Sequence, residues 1–401
     1  MIRAKNPFIV TGLIEKEYFC DRINESAKLV KSVTNGNNLV LISPRRMGKT
    51  GLIRFCYDMP EIKNDYYTFF IDILHTSSLR EFTYSLGKEI FESLQPRSRK
   101  MASSFLQTLK SINGKFGFDV MTGMPSFSIE LGDIEQPSHT LEEIFGYLER
   151  ADKPCIVAID EFQQIGKYAE KNVESLLRGH IQKLSNCNFI YAGSERHMMQ
   201  EMFLSSARPF FRSADMLELG AIPEDIYVTF VVDLFHKAGK EISPESVAKV
   251  YSFFKGHTFY MQKTFNESFA DTAEGAECTN EVICTAITAL VDSYDTVFRE
   301  ILSNMAEKQK ELLYSIALDG EATAITSSAF IRRHSLSSAS SVQAAVKKLI
   351  ENELVTKTDN VYSITDRFLA IWLTRQMGSG NPLRALMQVI FTKGVSQYLH
   401  C

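Results

Sequence analysis

A short apolar strand, a tight loop and the first turn of a helix follow one another in residues 38–53, NLVLISPRRMGKTGLI. The loop ends in Gly48-Lys49-Thr50. Backbone N–H groups of such a loop point inward, and the helix N-terminus adds the positive end of its dipole. In this pattern the lysine reaches the β- and γ-phosphates, and the threonine hydroxyl can bind Mg²⁺. The segment therefore predicts a site for a nucleoside triphosphate, with Lys49 acting on the phosphates and Thr50 on the metal.

This loop departs from the full phosphate-loop pattern at one position. Ser43 stands five residues before Gly48, where the pattern has glycine, and two arginines make the loop electropositive. A small residue is thus retained where the turn is tightest. The residues expected to hold the nucleotide are Ser43, Pro44, Arg45, Arg46, Met47, Gly48, Lys49, Thr50 and Gly51.

Two adjacent acids follow a second apolar run. Residues 155–159, CIVAI, have the continuous apolar character of a buried parallel strand, and Asp160 and Glu161 come directly after them. In a phosphate-loop enzyme the first acid holds Mg²⁺, directly or through water, and the second polarises the attacking water. We therefore expect Asp160 to be a metal ligand and Glu161 to be catalytic. The alternative is that the two acids only begin a solvated loop.

Several segments, in a fixed order along the chain, resemble the ATP-binding proteins of the AAA+/STAND superfamily, specifically the archaeal-type ATPase group and its bacterial relatives. The resemblance extends from about residue 7 to residue 376. The segments that carry it, besides the phosphate loop, are FCDR at 19–22 with Glu25, IDEFQQI at 159–165, FIYAGS at 189–194, RPFF at 208–211 and GHTFYMQ at 256–262. Two positions depart from the wider superfamily. Cys20-Asp21 stands where VG or IG is usual, and Thr258 replaces the proline of the GxP motif.

The resemblance implies roles for residues outside the two nucleotide motifs, which correspond to Walker A and Walker B. The box containing Arg22 abuts the nucleotide in such domains. Ser194 corresponds to a polar side chain that senses the γ-phosphate, although a serine at this place can also cap the next helix. Arg208 and Arg212 can supply positive charge toward the γ-phosphate, within one chain or as an arginine finger across a subunit boundary. The alternative for both is a surface ion pair, which is the more common role of an arginine near a domain edge.

Strands and helices alternate in the first half of the chain. This alternation predicts an α/β fold, a P-loop NTPase parallel sheet with flanking helices. The predicted strands are 66–73, 155–159 and 188–192, with helices at 78–94 and 173–184. The domain from residue 1 to 220 would be the ATPase core. Within it, residues 96–142 are less regular, and FGFDV and SFSIEL suggest a hairpin-like insertion.

Helical periodicity takes over beyond residue 220. The expected helices are 225–237, 244–254, 260–272 and 280–300. Residues 221–304 are therefore predicted to form the helical lid of the ATPase. Lids of this kind close on nucleotide and transmit its state. His257, in a turn between two lid helices, would either touch the nucleotide or serve the turn.

A winged helix-turn-helix is predicted for residues 305–380, with a tail at 381–401. Helices at 308–318, 327–334 and 340–352 precede two short strands at 354–357 and 361–364. Its third helix offers Ser341, Gln343, Lys347 and Lys348 for DNA binding. However, residues 305–376 carry nine Lys/Arg against eight Asp/Glu, without the basic excess typical of a DNA-reading module. Packing against protein is the alternative role.

The composition indicates a cytoplasmic protein of two to three domains. No stretch of the 401 residues approaches 18 consecutive apolar positions, so we expect no membrane association. Seven scattered cysteines without CxxC spacing indicate neither a disulfide framework nor a zinc site. The net charge of −4 argues against a surface that coats nucleic acid broadly.

The predicted function is an ATP-dependent molecular switch of the AAA+/STAND type, using ATP and Mg²⁺ and hydrolysing slowly. Its lid and winged helix would respond to the nucleotide and expose or hide a surface for a protein partner, with nucleotide-dependent homo-oligomers possible in such a system. The alternative is an initiator-like, ATP-dependent factor whose winged helix binds duplex DNA. A third alternative is a nucleotide-binding scaffold without turnover.

Overall fold

The computed structural model describes residues 6–10, 12, 15–94, 99–112, 117–118, 125–126, 130–377 and 386–392. These residues form two compact units, each with its own hydrophobic core. We call the unit that contains Arg22–Gly220 the sheet unit. The unit that contains Glu17–Asp21 and the chain from Ala221 onward is called the helical unit. Within the described ranges, no helix combines the length and apolarity needed to cross a membrane.

Seven strands occur among the described residues of the sheet unit. Their bounds are Leu39–Ile42 (β1), Tyr67–Asp72 (β2), Gly117–Phe118 (β3), Pro125–Ser126 (β4), Cys155–Asp160 (β5), Cys187–Gly193 (β6) and Asp215–Glu218 (β7). Five of them pair in the order β2-β5-β6-β1-β7, and every pairing is parallel. The register aligns Asp72 with Asp160 and Ile42 with Gly193. The carboxyl ends of β1, β5 and β6 therefore meet at one edge of the sheet.

Helices cover this sheet. Their bounds are Ile23–Thr34 (α1), Lys49–Tyr57 (α2), Pro60–Lys63 (α3), Leu79–Leu94 (α4), Arg99–Thr108 (α5), Pro137–Glu149 (α6), Val173–Ile181 (α7) and Arg196–Leu204 (α8). β1 and β5 are buried at every position, as expected for continuous apolar runs in a parallel sheet. The predicted parallel sheet with flanking helices is confirmed.

Two details of the sheet unit differ from the prediction. The edge strand β7 was not expected, because only Leu217 of its four residues is buried and the strand carries no apolar run. The 96–142 stretch is less irregular than predicted, since it contains α5 and the start of α6. Ala102 and Phe105 of α5 are buried in the core. β3 and β4 form an antiparallel pair, consistent with the expected hairpin. Residues 116, 119–120 and 127–129 of FGFDV and SFSIEL lie outside the described residues, and Leu131 begins a 3-10 helix, Leu131–Asp133.

The helical unit contains nine α-helices among its described residues. They are Glu224–Lys237 (α9), Pro244–Phe254 (α10), Thr258–Asp271 (α11), Asn280–Ser293 (α12), Asp295–Ser303 (α13), Glu307–Asp319 (α14), Ser328–Arg333 (α15), Ala339–Glu351 (α16) and Arg367–Met377 (α17). The single helix expected at 280–300 is broken at Tyr294, which caps both α12 and α13 with a non-helical backbone.

Short strands complete the helical unit. Glu241–Ile242 (β8) and Glu277–Cys278 (β9) form one parallel pair. Ala322–Thr323 (β10), Val355–Thr358 (β11) and Val361–Ile364 (β12) form an antiparallel sheet in the order β10-β12-β11. Together with α14, α15 and α16, this sheet gives the predicted winged-helix arrangement, with β10 as an additional strand.

Helices α9–α13 and the winged helix share one core. The Trp372 indole Nε1 donates a hydrogen bond to Asp295 Oδ1 at 2.8 Å, and Arg375 Nη2 lies 2.9 Å from Asp292 Oδ1. Phe368 packs edge-on against Tyr260 at 5.0 Å between ring centroids. Residues 386–392, within the segment predicted as a tail, also pack into this core through buried leucine and isoleucine side chains. The winged helix is thus tied to the preceding helices by side chains from α17.

Candidate nucleotide site

The predicted phosphate loop leaves the sheet at the carboxyl end of β1. The Ser43 N–H donates to the Gly193 carbonyl at 3.1 Å, so the β1–β6 ladder continues one residue into the loop. Ser43 is completely buried, and its hydroxyl donates to the Pro44 carbonyl at 3.1 Å. A larger side chain at position 43 would have to displace this packing. The serine therefore fits a place where the full pattern has glycine.

Gly48 forms the junction between the loop and α2. Its φ of 89° lies in the left-handed region, which disfavours residues with a side chain. A Cβ at Gly48 would meet no atom within 4 Å, so backbone conformation and not space requires glycine here. Lys49 is the first residue of α2, and the Leu52 N–H donates to the Gly48 carbonyl at 2.9 Å. The N-terminus of α2 thus lies directly behind the loop.

The other loop residues are exposed to different degrees. Pro44 and Arg46 are exposed, Arg45 and Thr50 are half-buried, and Met47 is buried. The Met47 side chain belongs to the core, so its contribution to a cradle would come from its backbone. Gly51 lies in the first turn of α2.

Lys49 and Thr50 meet the two acids at the end of β5. Lys49 Nζ lies 2.7 Å from Asp160 Oδ1 and 3.2 Å from Glu161 Oε1. The Thr50 hydroxyl donates to Asp160 Oδ2 at 2.9 Å. The lysine side chain is only 8% exposed. Asp160 and Glu161 therefore do not begin a solvated loop, and the alternative interpretation of these acids is wrong.

Glu161 is held by donors from three directions. Its Oε2 accepts hydrogen bonds from the Ser194 hydroxyl at 2.6 Å and from Gln163 Nε2 at 2.5 Å, while Lys49 binds Oε1. Burial alone would raise the pKa of Glu161. The charge of Lys49 and these hydrogen bonds outweigh burial and hold the pKa below its ordinary value. Glu161 is thus an ionised carboxylate, with a left-handed backbone at φ 56°.

Ser194 and Gln163 acquire a place in the site through this network. Glu195 is the N-cap residue of α8, so the predicted alternative that Ser194 caps this helix is wrong. Gln163 was not predicted as a site residue. The sequence shows only that a polar residue stands two positions after the acid pair. That residue reaches Glu161 because the backbone turns there, and the turn is not visible in the sequence.

Arg22 lies behind the loop and contacts its backbone. Its Nη2 donates to the Met47 carbonyl at 3.4 Å and to the Gly220 carbonyl at 2.7 Å, and Nη1 binds Glu25 Oε1 at 2.8 Å. The side chain is 4% exposed. These contacts make Arg22 a support for the loop, while its contact with nucleotide stays a prediction.

The two arginines of the RPFF region have different surroundings. Arg208 binds Glu174 at 2.9 Å and Glu201 at 2.8 Å, the ion-pair alternative considered for this residue. Arg212 is exposed, and its guanidinium lies 5.1 Å from the Phe211 ring centroid. Within the described residues, Arg212 makes no hydrogen bond or ion pair with Glu161 or with the side chains that bind Glu161. Its catalytic role stays a prediction.

The side chains that meet at this site fit a nucleotide with a divalent cation. It combines one ammonium, one hydroxyl and two carboxylates at the N-terminus of α2. Groups of three or more potential metal-ligating His, Cys, Asp or Glu side chains are absent from the part of the chain that the structure describes. Mg²⁺ is typically held by one or two carboxylates together with substrate phosphates. Thr50 and Asp160 would be its ligands here.

Comparisons with known proteins agree with this geometry. The family model described as "ATPase domain predominantly from Archaea" matches residues 19–263. The model described as "Probable winged helix domain" matches residues 296–375. No curated protein matches the chain.

Solved structures share the fold at low sequence identity. The Walker-type ATPase PABY2304 of Pyrococcus abyssi is 19% identical, with a TM-score of 0.60 over 92% of this chain and 99% of that one. The ORC2 protein of Aeropyrum pernix, in its ADPNP–ADP complexes, is 12% identical, with a TM-score of 0.57 over 97% and 99% of the two chains. The predicted P-loop fold and archaeal-type resemblance are thereby confirmed. The chain belongs to the family of ATPase domains found predominantly in Archaea, and it carries a C-terminal winged helix.

Proposed function

We propose that this ATPase is a slow molecular switch of the STAND type, in which the sheet unit binds ATP with Mg²⁺ and the helical unit responds to the bound state. One observation carries the proposal: Lys49, Thr50 and Ser194 all bind the adjacent carboxylates Asp160 and Glu161. Phosphoryl transfer needs positioned cations and a residue that orients water. It requires little covalent chemistry from the protein. These side chains supply those functions.

Each residue has a distinct task in this mechanism. Lys49 and the N-terminus of α2 attract the phosphates. Thr50 and Asp160 would hold the metal ion, which when bound would neutralise charge on the phosphate oxygens. Glu161 accepts a proton from water as the new oxygen–phosphorus bond forms and the bond from the γ-phosphorus to the bridging oxygen breaks.

The lowered pKa of Glu161 indicates a restrained base while the phosphates are absent. A carboxylate whose pKa is held below its ordinary value by a cation and by hydrogen bonds is a weaker base than a free one. When phosphates bind, the Lys49 ammonium and the Ser194 hydroxyl would turn from Glu161 to the phosphate oxygens. Two of the interactions that lower the pKa of Glu161 would then be lost. The site would thus become more active when the phosphates are correctly seated. Arg212, being exposed, could supply a further cation to the site of a second copy, in an assembly that forms with nucleotide.

The helical unit would transmit the nucleotide state to a partner. Because α17 binds α12 and α13 through Arg375 and Trp372, a displacement of these helices would carry the winged helix with it. A partner protein that binds the winged helix would then detect the nucleotide state. A location in the reducing cytoplasm would suit the six buried free cysteines of the described residues.

DNA binding by the winged helix is the alternative, and charge does not favour it. Lys347 and Lys348 of α16 lie 4.0 Å and 2.7 Å from carboxylate oxygens of Glu351. Their charges hold the pKa of Glu351 below its ordinary value, the Lys348 hydrogen bond contributing most. The helix that would enter a DNA groove thus carries a neutralising acid beside its lysines.

Phosphate release from ATP and Mg²⁺ tests the proposal. Glu161→Gln should reduce turnover by about 100- to 10,000-fold, the usual contribution of a general base, while ATP binding is retained. Glu92→Gln, which changes an exposed carboxylate on α4, is the matched control and should hydrolyse like the parent. Equal turnover in all three proteins would refute the assignment of Glu161. Adding duplex DNA at low and high salt distinguishes the alternative, because DNA stimulation that disappears with salt would favour it.

A further inference from the structure

We propose that Gln163 is the residue that positions Glu161 throughout the ATPase cycle. The inference rests on the proposed function, since it assumes that Glu161 activates water. Gln163 lies two residues after Glu161, in the short 3-10 helix Phe162–Lys167, and its Nε2 donates to Glu161 Oε2 at 2.5 Å. It does not touch the reacting atoms in this scheme. It acts through the carboxylate that does.

Of the three side chains that bind Glu161, two have another task. Lys49 must serve the phosphates, and Ser194 is placed to sense them. When these groups turn to the nucleotide, Glu161 loses a cation and a hydroxyl donor. Only Gln163 has no second task that would draw it away. Its hydrogen bond would then fix Oε2 and leave Oε1 toward the water.

Packing prevents Gln163 from leaving. The residue is only 1% exposed. A Cβ built on Gly193, at the end of β6, would lie 2.6 Å from Gln163 Oε1. The amide therefore packs directly against the Gly193 backbone, where any side chain would collide with it. Gly193 therefore provides the space that holds the amide in place. The glutamine thus connects the end of β6 with the catalytic carboxylate.

The orientation of the amide is set by charge. Turning the amide over would bring Oε1 against the ionised Glu161 oxygen, so the donor must face the carboxylate. In this orientation Oε1 is buried and has no hydrogen-bond partner among the described residues. A buried polar atom without a partner is destabilising. An apolar residue of the same size would be expected if position 163 served packing alone.

The amide of Gln163 lowers stability through its unsatisfied oxygen while its donor positions Glu161, and this difference can be tested. Gln163→Met removes both the donor and the unsatisfied oxygen at nearly constant volume. We expect kcat to fall by about 10- to 100-fold, the effect of one hydrogen bond to a charged group. KM for ATP should stay within about twofold, because the phosphate-binding residues are unchanged. The melting temperature should be equal to or above that of the parent.

Gln164→Met is the matched control. Gln164 is the next residue of the same 3-10 helix, and its Nε2 donates to the Thr76 carbonyl at 3.1 Å and not to the site. Its replacement removes an amide-donated hydrogen bond to a neutral acceptor outside the site and should leave kcat unchanged. Gln163→Leu provides a second donor-free variant whose kcat should fall like that of Gln163→Met.

The outcomes separate this inference from the proposed function. Loss of turnover in Glu161→Gln together with normal kcat in Gln163→Met would refute the role of Gln163 alone. Normal turnover in Glu161→Gln would refute the proposed function first. Unfolding of both position-163 variants, or a parallel fall in kcat and rise in KM, would show that Gln163 serves the structure and would also overturn the inference.

Discussion

Replacing Lys49 by methionine should destabilise the sheet unit by about 3–5 kcal/mol at neutral pH. The lysine ammonium lies within 3.2 Å of one oxygen from each of two carboxylates, the buried Asp160 and the half-buried Glu161. Methionine preserves most of the side-chain volume and removes the charge. The variant would retain two adjacent, largely desolvated anions without their shared cation, which is the costly way to break such an ion pair.

The loss should depend on pH in a defined direction. In the parent, the pKa of Glu161 is held below its ordinary value of 4.5, although burial opposes this. Such a group contributes stability above its unfolded-state pKa and loses it as pH falls through the folded-state pKa. In Lys49→Met, burial acts without the lysine, and the pKa of Glu161 is higher than in the parent. The difference in free energy of unfolding should therefore be large at pH 7 and shrink toward about pH 4.

Urea unfolding followed by circular dichroism at the two pH values measures this difference. Lys63→Met is the control, because Lys63 forms a 2.9 Å pair with Asp58 whose side chains are 63% and 55% exposed. A surface pair of this kind contributes about 0.2–1 kcal/mol. Equal losses in the two variants, or a Lys49→Met loss that does not change with pH, would refute the electrostatic account of the site.

Three further changes test neighbouring features. Arg22→Met should weaken ATP binding about tenfold, because the Met47 carbonyl of the phosphate loop loses a charged donor; unchanged affinity in a titration would contradict the supporting role. Gly193→Ala should cost about 1–3 kcal/mol and lower turnover, since its Cβ would lie 2.5 Å from a buried methionine sulfur; a normal melting curve would contradict this. Trp372→Phe should lower the stability of the helical unit by about 1 kcal/mol through loss of the Asp295 hydrogen bond, and a calorimetric transition at the parent's temperature would argue against it.

The phosphate loop and the acid pair could be predicted because their information is local. A buried parallel strand requires a continuous apolar run, and both β1 and β5 have one. A left-handed residue before α2 favours glycine, and Gly48 supplies it. By contrast, β7 pairs along the edge of the sheet beside β1, with polar residues at most of its positions. Its existence depends on the partner strand and not on its own pattern.

The role of Gln163 could not be predicted for a related reason. A residue two positions from an acid faces away from it in a helix, and in a strand it shares the face but lies about 6–7 Å further along. At Glu161 the chain enters a left-handed conformation, which reverses its course and brings Gln163 back to the carboxylate. Ser194 reaches the same oxygen from β6, 33 residues away. The Ser194 contact follows from the pairing of β5 with β6, which the sequence pattern implies only as a general architecture.

The winged helix shows how packing limits inference from a recognisable motif. Its elements were predictable from periodicity, and the motif alone suggests a DNA-reading module. The structure instead directs Trp372 and Arg375 of α17 toward acids on α12 and α13, and pairs Lys348 of α16 with Glu351. An anchoring helix bound to α12 and α13 would transmit displacement of these helices, whereas an acid beside the lysines lowers the local positive charge that attracts phosphates. The chemistry of this domain therefore favours transmission of the nucleotide state to a protein partner over gripping a duplex.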